Sequence, residues 1–424
     1  MENTIVFYLT FGTIPSLFSE ISIFLDDRPS YLFVRSSGDF NPDAIKNLKH
    51  VLGYHKFTGG DKDYIEDQYS IVKEKILEAK KRNKNSRFIV YIDDSRVQFY
   101  LKPFIEANAL DDISNLIIIS EGSSSKYMYY DLQANDEIEC EKKWNNLIEN
   151  YEDSDSMIKI DNYAFWLSTQ KNVEYQLPYY QKFNNPKVSA EYRAKMNLTD
   201  LSVETIYNKL TDEQKKYIFD FNSISINHKD KYLVLIGTYN FGSNYITTAI
   251  VENFIDQLGN KYDDYKLLYK SHPLFPVDGN PELVEYLNKK NISILPAKIP
   301  VEILLWEYNN ISIGGFSSSV VSLIDPSRVK FIFGQPIGYN EILFDNIETY
   351  DYKLSAQLAV QLLNDRYSLV DDHRAHYLEL LEINKNLSAE ISELRSRLDK
   401  MESDINSAGL SKKVSSKIKR LFKK

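Results

Sequence analysis

The sequence predicts an α/β protein built from two open parallel sheets in tandem. Three observations predict it. Short apolar strands alternate with helical stretches over residues 4–119, the same alternation restarts at Lys231, and 424 residues exceed what one ordinary core fills.

The first set opens on Thr4-Ile5-Val6-Phe7-Tyr8-Leu9, a run of residues that suit a pleated, buried strand. A Gly-Thr-Ile-Pro break at 12–15 leads into a helix whose apolar residues Leu17, Phe18, Ile21 and Phe24 recur at helical spacing. Tyr31–Val34, Arg87–Ile92 and Asn115–Ile119 are further strands, the last two separated by a helical stretch. The first domain is expected to span residues 1–170. A helical, Tyr- and Asn-rich connector begins the second, 171–365. There Lys231–Ile236 is a strand ending at Gly237, followed by a helix around 246–257, a strand at Lys266–Tyr269 and a helix at 281–288. Strand-like Ile292–Ile294, a helix at 300–308 and strands at Asn310–Ile313 and Lys330–Phe333 complete the series. Two such sheets without the G-x-G-x-x-G fingerprint of dinucleotide binding fit the GT-B arrangement, two facing Rossmann-type domains.

The remainder reads differently. In 366–408, Tyr377, Leu380, Asn384, Leu387, Ile391, Leu394, Leu398, Met401 and Ile405 alternate by three and four residues, a heptad seam that predicts a homo-oligomer through 377–405. In 409–424, Leu410, Val414, Ile418, Leu421 and Phe422 share a helical face amid seven Lys/Arg and no acid. That basic amphipathic tail suits an anionic membrane surface through 410–424, with a solvated tail as the competing reading. The rest of the chain keeps 44 basic against 60 acidic side chains, a net of −16, which argues against nucleic acid. The N-terminus lacks a signal-peptide pattern and no apolar run is long enough to span a membrane, so a cytoplasmic protein, peripheral on the inner face of a bacterial inner membrane, is expected. One cysteine, Cys140, and six scattered histidines offer no zinc spacing, so neither metal nor cofactor is expected. The 31 tyrosines and 22 phenylalanines either offer rings to sugar or nucleotide faces or reflect A/T-rich coding.

Ligands of open α/β sheets bind beyond the carboxyl ends of strands, so the segments that follow strands are candidates for chemistry. Ser120-Glu121-Gly122-Ser123 puts a carboxylate at a strand end, where it can act as a general base. Lys270-Ser271-His272-Pro273 puts an extended histidine at another, able to donate a proton or a charged hydrogen bond to a departing phosphate. Gly314-Gly315-Phe316-Ser317-Ser318-Ser319 supplies close backbone approach and hydroxyl donors for a phosphate.

These segments resemble the bacterial sialyltransferases of glycosyltransferase family 80. The likeness covers most of 1–335 and is densest in 230–335. The family's Gly-Thr-Thr-Thr-Trp-Glu-Gly-Asn is similar to Gly237–Asn244, and its Lys-Gly-His-Pro to Lys270–Pro273. Its Ile-Ser-Phe-Glu-Val-Leu is similar to Ile299–Leu304, and its Gly-Gly-Val-Ala-Ser-Ser to Gly314–Ser319. The resemblance implies an inverting, metal-independent transfer of sialic acid from CMP-sialic acid (CMP-Neu5Ac) to a sugar hydroxyl, with Glu121 as general base and His272 as the acid or electrostatic partner of the CMP phosphate. It implies donor contacts from Pro273, Glu302 (ribose hydroxyls), Ser318, Ser319, Gly237 and Lys270, and acceptor-side contacts from Phe241, Asn244 and Ser123. With the basic tail and heptads, the expected acceptor is a sugar hydroxyl, taken as a galactoside, of a lipooligosaccharide, O-antigen or capsular glycan. Four positions depart from the family: Ser120 replaces the first acid of Asp-Asp-Gly, Phe241 a tryptophan, Gly242 a glutamate and Leu274 an arginine. The donor half therefore matches better than the acceptor half. A GT-B transferase using another CMP-sugar such as CMP-Kdo, or a non-catalytic glycan-binding or scaffold protein, are the alternative readings.

Overall fold

A computed structural model describes residues 4–35, 40–57, 61–94, 97–121, 125, 129, 132, 136–149, 163–178, 180–182, 185, 187–219, 224–237, 251, 252, 255, 256, 258, 261–272, 277–297, 299–316 and 325–333. The chain divides into two units after Ala359, and every described residue belongs to the first. The heptads of 366–408 and the tail 409–424 lie outside the described residues.

The first sheet comprises β1 (Thr4–Thr10), β2 (Ser30–Val34), β3 (Val51–Lys56), β4 (Arg87–Asp93), β5 (Ile113–Ile119), β6 (Val173–Leu177) and β7 (Leu198–Asp200). All pair in parallel, in the order β3-β2-β1-β4-β5-β6-β7. Alternation along each strand feeds two cores. Phe7 and Leu9 of β1 join Phe33, Phe88, Phe104 and Tyr175 on one face, while Val6 and Tyr8 join Leu17, Phe18, Ile21 and Tyr207 on the other. Phe7 meets Phe88 and Phe104 edge-on at 5.7 and 5.5 Å, a fully buried cluster in which truncation to alanine would cost about 3–5 kcal/mol.

The second sheet contains β8 (Tyr232–Ile236), β9 (Lys266–Lys270), β10 (Ser293–Leu295), β11 (Ile311–Phe316) and β12 (Val329–Phe333). It is also parallel throughout, in the order β10-β9-β8-β11-β12. The two sheets of the sequence reading are thus both present. The expected boundary at residue 170 falls inside the first sheet, because β6 and β7 pair onto β5 and the helix Val203–Tyr207 packs on the helix Thr13–Ser22. The segment expected to be a helical connector therefore holds two strands of the first sheet. β6 reads Val-Glu-Tyr-Gln-Leu, with buried and half-buried residues alternating, and its polar half hides it within a polar stretch.

One helix joins the lobes. In Val301–Glu307, Val301, Leu304 and Leu305 enter the core of the second sheet, while Ile303 and Trp306 enter a core of the first. Tyr207 packs on Trp306 at 5.3 Å and donates to Glu307 Oε1 at 2.8 Å, and Lys215 pairs with the same carboxylate at 2.9 Å. Arg328 closes the helix's carboxyl end, its guanidinium donating to the carbonyls of Leu305, Tyr308 and Ile311.

Candidate active site

The order in which strands are added reverses between β1 and β4 in the first sheet, the place where parallel sheets of this kind open a crevice at the carboxyl ends of their strands. Two consecutive carboxylates stand there. Asp93 Oδ2 accepts the backbone N–H groups of Phe11 (2.8 Å) and Gly12 (3.2 Å) and the hydroxyl of Tyr100 (2.7 Å). It thereby fixes the turn from β1 into the helix Thr13–Ser22. Asp94 Oδ1 accepts the N–H of Glu121 at 3.1 Å, and its Oδ2 accepts the hydroxyls of Tyr175 (2.5 Å) and Ser125. Asp94 is buried, and burial pushes its carboxyl up to about 6 against the opposing hydrogen bonds from Ser125 and Tyr175.

Glu121 leaves the carboxyl end of β5. The end of that strand is tied on both sides: Asp94 N–H donates to Ile119 O at 3.1 Å and Ser120 N–H to Gln176 O at 3.0 Å. Ser120 Oγ pairs with Ser125 Oγ at 2.6 Å. The Glu121 carboxylate folds back over Gly12, close enough that a methyl group on Gly12 would fall 1.3 Å from Oε1. Gly12 has ordinary extended dihedrals, φ −67° and ψ 156°, so the placement of the Glu121 carboxylate, and not backbone conformation, is what depends on glycine here. The carboxylate also lies at the amino end of a helix, where the macrodipole favours an anion.

In the second sheet the reversal falls between β8 and β11. Gly237 follows β8, donates its N–H to Lys270 O at 2.8 Å, and lies so close to β9 that an added Cβ would be 2.9 Å from the Tyr269 hydroxyl oxygen and 3.5 Å from His272 N. Gly315 on β11 is demanded by both conformation and space: its φ is +132° and an added Cβ would be 2.5 Å from Ile236 O. Lys270 ends β9 and is buried, its Nζ donating to Ala297 O (2.6 Å) and Ser271 O (3.2 Å). Ser271 Oγ accepts Val277 N–H at 3.0 Å. His272 is half-buried, and burial first, then the Lys270 charge, hold its pKa below the usual histidine range. Glu302 sits in the first turn of Val301–Glu307 and is buried, which raises its pKa; its own backbone N–H and the Lys270 charge oppose that rise.

Of the residues singled out from sequence, Gly237, Lys270, His272 and Glu302 come together around the ends of β8 and β9, and Glu121 stands at the end of β5. Ser123, Phe241, Asn244, Pro273, Ser318 and Ser319 lie outside the described residues. Asp93, Asp94, Gly12 and Tyr175 were not singled out. The acid pair at the end of an apolar strand was the available signal, and it obeys the same strand-end rule that pointed to Glu121. Among the described residues no cluster of three or more His, Cys, Asp or Glu is arranged to hold a metal. A cavity of about 1000 Å³ opens beside the edge strand β10, lined by residues such as Tyr232, Tyr262, Lys266 and Ile294, and includes none of the residues above.

This architecture, two parallel α/β sheets with candidate residues at both carboxyl edges, is the GT-B fold. An α/β-galactoside α-2,3-sialyltransferase from Photobacterium phosphoreum is similar at a TM-score of 0.61 and 15% identity, over 84% of this chain and 96% of that one. The 2,6-sialyltransferase of Photobacterium sp. JT-ISH-224, solved with CMP and lactose, is similar at a TM-score of 0.57 and 16% identity, over 84% and 76% of the two chains. A UDP-glucose:anthocyanidin 3-O-glucosyltransferase in complex with UDP is similar at 0.51 and 10% identity, over 87% and 95%. At these identities the likeness is one of fold. No protein-family model and no curated protein sequence matches the chain.

Proposed function

We propose that the protein is a glycosyltransferase that moves sialic acid from CMP-sialic acid to a sugar hydroxyl with inversion. The acceptor oxygen attacks the anomeric carbon as the bond from that carbon to the CMP phosphate oxygen breaks. The acceptor's proton passes to Glu121, and the bonding electron pair leaves with CMP. His272 meets the charge that builds on the phosphate, aided by the hydroxyls of Ser318 and Ser319, and Glu302 accepts from the ribose hydroxyls. With histidine and hydroxyls in that role, transfer proceeds without a divalent cation.

The observation that carries this reading is the division of labour between the sheets. A carboxylate stands at the carboxyl edge of one, and a Lys-Ser-His segment with a buried glutamate stands at the carboxyl edge of the other. The fold shared with two sialyltransferases, one of them solved with CMP and lactose, supports it. The test is incubation of the full chain with CMP-Neu5Ac or CMP-Kdo and a panel of galactosides, with and without EDTA. Transfer from CMP-Neu5Ac that persists in EDTA is expected. Transfer only from CMP-Kdo would overturn the donor assignment, and a protein that neither binds CMP nor releases it from either donor would overturn the enzyme itself.

A further inference from the structure

Glu121 reaches the crevice on a flexible side chain, and a general base has to be held within a fraction of an ångström of its working position. Two fixtures do this. Its backbone N–H is bound by Asp94 Oδ1, and its carboxylate rests on the bare Cα of Gly12. Those fixtures share one origin, because Gly12 N–H is bound by Asp93, the residue joined to Asp94 by a peptide bond. One dipeptide at the end of β4 therefore sets the distance between the base's backbone and the seat of its carboxylate. Asp94 is itself held by the hydroxyls of Tyr175 from β6 and Ser125, and Asp93 by the hydroxyl of Tyr100, so neither carboxylate is free to swing.

We infer that Asp94 and Gly12 are the positioning residues for Glu121, fixing where the base stands when it takes the acceptor proton. The inference rests on Glu121 serving as the base of the proposed transfer. Gly12 gives the sharper test, because its dihedrals admit alanine and the atom a new methyl would strike is the far end of a flexible side chain. G12A therefore keeps the fold and moves the carboxylate. D94N keeps an acceptor for Glu121 N–H, while its amide turns the Tyr175 and Ser125 hydroxyls into acceptors and twists the bonding pattern behind the base.

The experiment measures kcat and donor KM for CMP-Neu5Ac transfer, CMP affinity and thermal melting, in wild type, E121Q, G12A, D94N and G12A/E121Q. For G12A and D94N the expected result is a fall in kcat of at least tenfold, with donor KM and CMP affinity at wild-type level, and G12A also keeps the wild-type melting temperature. G12A should cost nothing further in the E121Q background, since there is no base left to displace. If wild type transfers and E121Q is inactive while G12A and D94N keep wild-type kcat, positioning by these residues is overturned. The same holds if G12A lowers E121Q by as much as it lowers wild type. If E121Q itself keeps wild-type kcat, the base assignment fails and this inference falls with it.

Discussion

The two carboxyl edges solve different electrostatic problems with the same sheet topology. At the first edge three carboxylates, Asp93, Asp94 and Glu121, crowd one crevice, and the two aspartates spend their acceptors on backbone N–H groups and tyrosine or serine hydroxyls. At the second edge a buried lysine and a half-buried histidine stand beside one buried glutamate. An acidic, hydrogen-bonded edge suits removal of a proton, and an edge carrying Lys270 and His272 suits an anion. Glycine serves the two edges differently as well. Gly12 clears room for a side chain, whereas Gly315 lets two strands approach where no other residue could.

The largest effect is expected at Glu121, the chemical centre of the acidic edge. E121A should lower kcat by about 10²–10⁴-fold while leaving CMP affinity intact, because a lost general base affects only the acceptor step. H272A should lower kcat by about 10²–10³-fold and weaken CMP binding too, because its partner is part of the donor. Steady-state kinetics with calorimetric CMP titration separates the two. If the two variants showed the same split between kcat and CMP affinity, the assignment of one edge to each substrate would fail.

Next come the glycines. G315A forces an L-residue to φ +132° and drives a methyl into the Ile236 carbonyl, so it should destabilise by at least about 3 kcal/mol in urea denaturation. G12A should leave the denaturation midpoint unchanged. Equal midpoints for the two variants would contradict the difference drawn between them.

Asp94 sharpens the acidic edge further. Its carboxyl is pushed up to about 6 from the 3.8 of a free aspartate, so between those values the folded chain binds more protons than the unfolded one. Stability from this group is full below the lower value and is lost as pH rises through the upper, a cost of up to about 3 kcal/mol at pH 7. D94N carries no such charge. The stability of D94N relative to wild type should therefore grow between pH 4 and pH 7, and parallel pH–stability curves would show that Asp94 is ordinary.

Much of this was legible in the sequence, and the rest was hidden for physical reasons. β1, β2, β4 and β5 announce themselves because strands buried on both faces are nearly continuous apolar runs. β3 is mostly half-buried and interrupted by Gly53, and β7 is three residues long, so neither leaves a pattern to read. Glu121 was visible as a strand-end acid. Its partners were not, because Asp94 is 27 residues away in sequence and Gly12 is farther still. Strand order brings them together, and strand order is decided by packing across the sheet.

The smallest expected effect is a fraction of a proton, and it tests the basic edge directly. Burial and the Lys270 charge hold His272 below its usual pKa of 6.5, so in the free protein at neutral pH the imidazole is neutral. A phosphate placed against it favours the imidazolium and raises that pKa. Binding CMP near pH 6.5 must then take up protons, and CMP affinity must weaken as pH rises. Calorimetry in two buffers of different ionisation enthalpy reads the uptake, which should be at most about one proton. H272N should abolish it while Glu121 variants leave it unchanged. CMP binding with no proton exchange and no pH dependence would place the phosphate away from His272, and the second edge would lose its claim to the donor.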